Sequence, residues 1–548
     1  MNKYCIYIWL LVAGFVLWGC KTSRIDEKPV AQNYISEVWV ADNGNGTYTN
    51  PVLYADYSDP DVIRVGEDFY MTASSFNCTP GLPILHSKDL VNWQIISYAL
   101  DRQMPEEVFA KPQHSKGVWA PSLRYHNKRF YIYWGDPDFG VYVITANAIT
   151  GPWTKPLLIL EGKGIIDPSP LWDGDKAYLI HAWAGSRAGV NSLLTMHTMN
   201  PEGTKILDEG KNVFDGHDAN HTLEGPKLYK KDGYYYIFAP AGGVETGWQL
   251  AMRSKNIYGP YEHKVVLEQG TTKINGPHQG AWVDAPDGKN WFLHFQDQGV
   301  YGRVLHLQPM EWRDGWPVMG KDFDGNGIGE PIASWQKPVA TNTVYTPQES
   351  DDFNNGVPGL QWQWYANPSV KWSAQIPGTD YLRLFAVSKN GLPNLWDVPN
   401  LLLQKLPAPD FTVTTKVKLA TEWETPGKTA GLIMMGQSYA YVGITYTDGK
   451  YKLNQVVCED AIKGSAEKVL FEETLNSNEV YLRMQVKSPD GTCLFSYSTD
   501  GVHFTPSGKA FKAQKDLWIS AKMGIFCVSE SNVRLGGYAD FDWFKVTK

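Results

Sequence analysis

Tyr57-Ser58-Asp59-Pro60-Asp61-Val62-Ile63-Arg64-Val65-Gly66 is the stretch on which the fold turns. A polar, carboxylate-rich turn runs straight into Val62-Ile63-Arg64-Val65, whose β-branched residues read as a strand. Pro60 has no N–H to give a sheet ladder, and it biases Asp59 toward extended backbone. Asp59 is therefore expected at the mouth of a strand and not inside one. Two later turns have the same make: Ile166-Asp167-Pro168-Ser169 and Leu223-Glu224-Gly225-Pro226. Each sets one carboxylate beside a Pro or a Gly-Pro, ahead of a strand-like run. Three carboxylates delivered this way converge if their strands fan around a common axis.

A chain of 548 residues predicts two or three domains. Apolar content of 43% with 20% charged residues describes a soluble globular protein. The 22 Trp and 30 Tyr stand out; such side chains suit sugar rings and also the core of a large β structure. A net charge of −8 with no basic stripe argues against a nucleic-acid partner. At the N-terminus Lys3 precedes an apolar run, Ile6 to Trp18, too short to span a membrane as a mature helix. The run ends in Leu17-Trp18-Gly19-Cys20, which resembles a bacterial lipoprotein box; an ordinary signal peptide with a chance Cys is the alternative. The expectation is a signal peptide over 1–19, an acylated Cys20, and a flexible tether over 20–45. The protein would then sit on the envelope of a Gram-negative bacterium, in the periplasm or at the outer-membrane surface. That anchor would be its one membrane contact. Cys78, Cys458, Cys493 and Cys527 show no metal spacing and read as buried thiols, with one C-terminal disulfide left open.

Strand signals dominate to about residue 340, in a repeating unit of an aromatic strand, a second strand, and a polar turn closing on an aromatic residue. The units begin at Asp68-Phe69-Tyr70-Met71, Arg129-Phe130-Tyr131, Lys176-Ala177-Tyr178, Tyr234-Tyr235-Tyr236 and Asn290-Trp291-Phe292. Five such units over 46–335 predict an all-β, five-bladed β-propeller. Asp322, Asp324 and Asn326 have calcium-loop spacing, but Ala333 stands at the required twelfth position, so 322–331 reads as a glycine-rich turn. A linker is expected over 336–350, then a β-sandwich of jelly-roll, concanavalin-like type over 351–548. Phe411–Val417 and Tyr481–Val486 alternate as its strands. Asp351, Asp352 and Asp542 are candidates to share a calcium where its first and last strands meet; a solvated strand end is the other reading.

Three carboxylates suit glycoside hydrolysis. One group protonates the leaving oxygen and another activates water or attacks carbon. The acid must stay protonated near neutral pH, so a third carboxylate or a dry pocket has work to do. On these turns the chain resembles family 43 glycoside hydrolases, which are five-bladed propellers that invert configuration. The resemblance covers roughly 50–335. It implies that Asp59 is the general base, Glu224 the general acid, and Asp167 the residue that tunes and orients that acid. It further implies that Phe76, Trp119 in Val118-Trp119-Ala120-Pro121-Ser122, Ile166 and Arg303 in Gly302-Arg303 face the sugar. Ile166 stands where some xylosidases of the family carry an aromatic residue. His278, in Gly276-Pro277-His278-Gln279-Gly280, falls where many members place a His on a central calcium, although Pro277 here replaces the usual Gly. Any such calcium would be structural, and the chemistry would need no cofactor. The C-terminal region resembles the sandwich of the xylosidase and arabinofuranosidase branch, in which a sandwich loop closes one side of the pocket. That favours exo action on the ends of plant hemicellulose or pectic side chains, releasing α-L-arabinofuranosyl or β-D-xylosyl residues. Four readings compete with it. One is an endo-acting member of the same family, one a glycan-binding lipoprotein without catalysis, and one a structural propeller scaffold, which would not need a pocket arginine and Trp119 beside the carboxylates. The fourth is a family 32 fructosidase, whose Asn-Asp-Pro-Asn-Gly motif is here Ser-Asp-Pro-Asp-Val.

Overall fold

Each of the five aromatic runs forms the second strand of a four-stranded antiparallel sheet in the computed structural model, which describes residues 33–420, 427–530 and 537–548. These second strands are Asp68–Thr72, Arg129–Asp136, Lys176–Trp183, Tyr234–Ala241 and Asn290–Asp297. One strand precedes each: Asp61–Val65, Trp119–His126, Ile165–Asp173, Lys227–Lys231 and His278–Asp284. The repeat seen in the sequence therefore starts one strand late. The five preceding strands surround a common axis, because Ile63, Tyr125, Leu171, Tyr229 and Val283 all line one cavity. His278–Asp284 packs back against Asp61–Val65 and closes the ring. Closure is reinforced outside the blades, where Thr47–Thr49 pairs with Ser334–Gln336.

The sandwich has two eight-stranded sheets. In Phe411–Ala420 the inward residues Phe411, Val413, Thr415, Val417 and Leu419 are buried and their neighbours are not, the period-two pattern of a sheet with one covered face. Lys522–Ser529, in the other sheet, is buried at every position. That sheet is covered twice. Its inner face meets the sandwich core, and its outer face carries a second apolar layer, including Tyr441 and Phe526, that packs with Phe76 and Cys78 of the propeller. The sandwich thus docks on the propeller through a true core. Cys78, Cys458, Cys493 and Cys527 are buried free thiols, which excludes the C-terminal disulfide.

Cys20 and the expected signal peptide lie outside the described residues. The described part of the expected tether, from residue 33, is packed and not loose. Ser36 is buried and donates to Glu349 at 2.6 Å, Trp39 Nε1 donates to the Pro51 carbonyl at 3.1 Å, and Ala41 joins the propeller core. The expected linker answers it in kind: Lys337 Nζ reaches Asp42 at 2.6 Å and Asp89 at 2.9 Å, with its side chain only 3% exposed. The cause is apolar and ionic content (Trp39, Ala41, Tyr345, Lys337) scattered among polar residues with no period to reveal it. Asp42 and Asp89 would be stranded in the interior without Lys337. Lys337→Met should therefore lower unfolding free energy by about 3–5 kcal/mol, read as a fall in the urea midpoint.

Candidate active site

The head of every axial strand carries one residue of positive φ: Asp59 at 55°, Ala120 at 35°, Asp167 at 57°, Gly225 at 57° and Gln279 at 35°. In the second, third and fifth blades the same point is a register shift, between Trp119 and Ser122, Ile166 and Ser169, and His278 and Gly280. Asp59 was expected to be extended ahead of Pro60; the left-handed turn overrides that bias, as Asp tolerates better than most residues. The kinks leave Ala120, Asp167 and Gln279 outside the ladder, and they gather Asp59, Trp119, Asp167, Glu224 and His278 at one end of the axis.

Asp59 is buried. Its Oδ2 accepts from Ser74 Oγ at 2.5 Å, and its Oδ1 faces Arg303 Nη1 at 3.2 Å. Burial pushes its carboxyl above the usual aspartate range; Arg303 and Ser74 oppose that shift, and the charge of Glu224 adds to it. Asp167 is also buried. Its Oδ2 accepts the Gly225 N–H at 2.7 Å and faces Gln279 Nε2 at 3.4 Å. Burial drives Asp167 well above the carboxylate range, and the nearby charges of Glu224 and Asp59 push the same way. Glu224 is the open member of the set, with its side chain 32% exposed, and its Oε1 lies 2.9 Å from His278 Nε2. The structure thus brings together two dry carboxyls and one wet one.

Several neighbours were not foreseen. Ser74 also accepts the Ala120 N–H at 2.7 Å, tying the Asp59 turn to the strand headed by Trp119. Lys227, three residues after Glu224, is buried and donates to the Pro121 carbonyl at 2.9 Å and Ser122 Oγ at 3.0 Å. Asp61 receives Arg124 at 2.6 Å and lies 3.6 Å from Lys227, so a charged pillar crosses three blades beneath the carboxylates. Asp61 was visible inside the opening motif; Ser74 and Lys227 carry no distinguishing sequence signal.

The apolar wall holds Phe76 and Trp119, with ring centroids 6.2 Å apart. Trp518 of the sandwich meets Trp119 edge-on at 6.4 Å, although half of it stays exposed. Between that sandwich loop and Arg303 lies a cavity of about 240 Å³. Trp518 is almost 400 positions from Trp119, so only the fold reveals it. Ile166 is buried in an apolar cluster with Ala182, Leu194 and Leu223, against which Trp119 packs.

Of the calcium candidates, His278 keeps one ring nitrogen unpaired, whereas the sandwich aspartates have partners of their own. The His278 nitrogen that faces the carboxylates is engaged by Glu224, and its Nδ1 is buried with no hydrogen-bond partner. Among the described residues no three His, Cys, Asp or Glu side chains are grouped to hold an ion. In the sandwich, Asp351 spends its oxygens on the N–H groups of Phe353 and Gly359 and on Trp362 Nε1. Asp542 pairs with Lys416 at 2.8 Å and Asp352 faces Lys545 at 3.8 Å. Asp351, Asp352 and Asp542 are close in the sheet, but each has its own partner.

Comparison with known proteins agrees with this geometry. Residues 48–317 match the model of glycosyl hydrolases family 43, and residues 350–547 match a beta xylosidase C-terminal concanavalin A-like domain. A Xylanibacter ruminicola protein provisionally named a beta-xylosidase is 40% identical, with 92% of this chain and 90% of that protein aligned. A beta-xylosidase of Formosa agariphila is 34% identical over the same shares, 92% and 90%. A non-reducing end alpha-L-arabinofuranosidase of Bacteroides ovatus is 31% identical over 73% of this chain and 76% of its own. The crystal structure of a xylan beta-1,4-xylosidase from Bacillus halodurans superposes with a TM-score of 0.79 at 25% identity, covering 91% of this chain and all of that one. With both domains matched in order and three carboxylates at one end of a five-bladed ring, the chain belongs to the glycosyl hydrolases of family 43.

Proposed function

We propose that the enzyme removes single β-D-xylosyl or α-L-arabinofuranosyl residues from the non-reducing ends of plant hemicellulose or pectic side chains, with inversion. The observation that carries this reading is the unequal trio: Asp59 and Asp167 buried, Glu224 half-open, all at one end of the axis. The names of the relatives supply the two sugars. The sandwich loop bearing Trp518 borders the pocket beside Arg303, which suits a chain end better than a chain middle.

In this mechanism Asp59 takes a proton from a water, which attacks the anomeric carbon from the face opposite the leaving group. Glu224 protonates the departing oxygen. Asp167, which grips the Gly225 N–H beside Glu224, aims that acid and repels its charged form. Arg303, donating to Ser58 and Asp59, is placed to hold sugar hydroxyls and to keep Asp59 ionised. Inversion calls for Asp59 and Glu224 roughly 6.5–9.5 Å apart, room for a water between carboxylate and sugar. The same reading anchors the enzyme to the cell envelope through an acylated Cys20, on the strength of Leu17-Trp18-Gly19-Cys20.

Hydrolysis of 4-nitrophenyl β-D-xyloside and α-L-arabinofuranoside tests the assignment and ranks the two sugars. Asp59→Ala should abolish activity on both. Glu224→Ala should lose about 10²–10⁴ in kcat on a disaccharide but much less on the nitrophenyl glycosides, whose leaving group needs little protonation. Equal losses on both substrate types would remove Glu224 from the acid role. Activity on neither glycoside by the wild type would contradict the exo reading.

Two pH effects follow from the buried carboxyls. Ser74→Ala removes a donor from the Asp59 carboxylate, so the acidic limb of kcat/KM should move to higher pH, by up to about one unit. Asp167 has a folded carboxyl raised above its unfolded value, so the stability it lends is present at low pH and is lost as pH rises through the raised value. Asp167→Asn should accordingly raise unfolding free energy at pH 7 by about 0.5–2 kcal/mol and change it little at pH 4, while depressing kcat. Denaturation at the two pH values checks the sign.

A further inference from the structure

Arg303 opens the strand Arg303–Arg313, directly after a tight turn, Gly299–Tyr301, and Gly302. Gly302 has φ 77° and ψ −148°, a region that a side chain all but forbids, and a Cβ there would sit 2.6 Å from Asp56 Cγ. Glycine lets Asp56 approach this close. Asp56 is buried and spends its two oxygens in opposite directions. Oδ1 accepts the backbone N–H of Arg303 at 3.0 Å, and Oδ2 accepts the backbone N–H of Ser520, in the sandwich, at 2.8 Å. One carboxylate therefore bolts the sugar-facing arginine to the second domain.

The turn itself is held by the sandwich. Tyr301 is 2% exposed and packs in the sandwich core, not in a propeller blade, and its hydroxyl donates to the Pro409 carbonyl at 2.7 Å. Its neighbour Val300 accepts the Ala521 N–H at 2.9 Å. The same sandwich segment reaches the opposite wall. Asp516 faces His114 Nδ1 at 3.4 Å, and His114 stacks on Trp396 at 3.8 Å. His114 lies in the propeller loop that ends at Trp119, whose Nε1 donates to the Ser115 carbonyl. Residues 516–521 thus touch both the Arg303 side and the Trp119 side of the pocket.

We propose that Asp56 and Tyr301 are positioning residues through which the sandwich sets the place of Arg303, so that the sugar subsite belongs to both domains. Neither residue is asked to touch the sugar; both act through the Arg303 backbone. The proposal rests on the pocket assignment above. At a pH high enough for Asp59 to be ionised without help from Arg303, a guanidinium shifted by even 1 Å loses the geometry of its hydrogen bonds to a sugar, so the loss should fall on KM more than on kcat.

A double-mutant cycle on the full chain tests it. Asp56→Asn keeps the shape but places an amide NH₂ against one of the two N–H groups it served. With 4-nitrophenyl β-D-xyloside or α-L-arabinofuranoside, whichever is the better substrate, KM should rise about tenfold with kcat within threefold. Product inhibition by the free pentose should weaken in parallel. In an Arg303→Ala background the same Asp56→Asn change should alter KM and pentose inhibition less than twofold. Tyr301→Phe, which removes only the bond to Pro409, should show the same dependence on Arg303 with a smaller rise of about threefold, and it carries the cycle if Asp56→Asn does not fold. Equal factors with and without Arg303 would mean a merely structural role and overturn the proposal, as would an unchanged KM in the wild-type background. A wild type inactive on both glycosides would instead refute the pocket assignment, and this proposal with it.

Discussion

The structure depends on one repeated constraint: each axial strand must begin with a residue bent into left-handed backbone. At Gly225 that conformation is free, whereas at Asp59, Ala120, Asp167 and Gln279 it costs of order 1 kcal/mol or more each. The strain is held in place by contacts around the same turns. Ser74 bridges the Asp59 and Ala120 turns, and Asp167 grips the N–H of Gly225. These contacts join the first turn to the second and the third to the fourth. The bend also explains why polar groups can collect at the end of otherwise apolar strands, since a side chain at a kink leaves the pleat and need not enter the blade-to-blade core.

The charges behind the carboxylates follow the same logic. Asp59, Asp61, Asp167 and Glu224 would repel one another around a narrow axis. Lys227, Arg124 and Arg303 stand among them with good geometry, and Lys227 and Arg303 are themselves buried. A buried ion pair is weak evidence of stability, yet removing one partner leaves a bare charge. The network therefore buys definition more than stability.

Much of this was legible in the chain. The aromatic second strands were visible because they are long, apolar and regularly spaced: Arg129–Asp136 and Tyr234–Ala241 are largely buried. Of the axial strands, Val62–Val65 was read directly and the runs after Asp167 and Glu224 as strand-like, whereas those at Trp119 and His278, each broken by a register shift, were not. What could have exposed them is the X-Pro step shared by Asp59-Pro60, Ala120-Pro121, Asp167-Pro168 and Gly225-Pro226, with Gln279-Gly280 in the fifth place. Asp59 and Asp167 were legible as site residues for that reason, and Glu224 through its Gly-Pro. Their left-handed turns were not, since proline argues for the opposite backbone. Nearness in the sheet misled at Asp351, Asp352 and Asp542, because Lys416 of the adjacent strand pairs with Asp542 and Lys545, three residues further along the last strand, faces Asp352. Trp518 and Ser520 reach the site only through docking of a sheet that is apolar on both faces, a feature that alternation along a strand cannot announce.

If Asp59 activates water on the face opposite Glu224, hydrolysis proceeds in one displacement. The stereochemistry of the first-formed sugar tests this most directly. Proton NMR of the anomeric signals, followed from the first minute of hydrolysis of a β-D-xyloside, should show α-xylose appearing before mutarotation supplies the β form. Appearance of β-xylose first would mean two displacements through a covalent intermediate, would set the two carboxyls about 5 Å apart, and would contradict the roles given to Asp59 and Glu224.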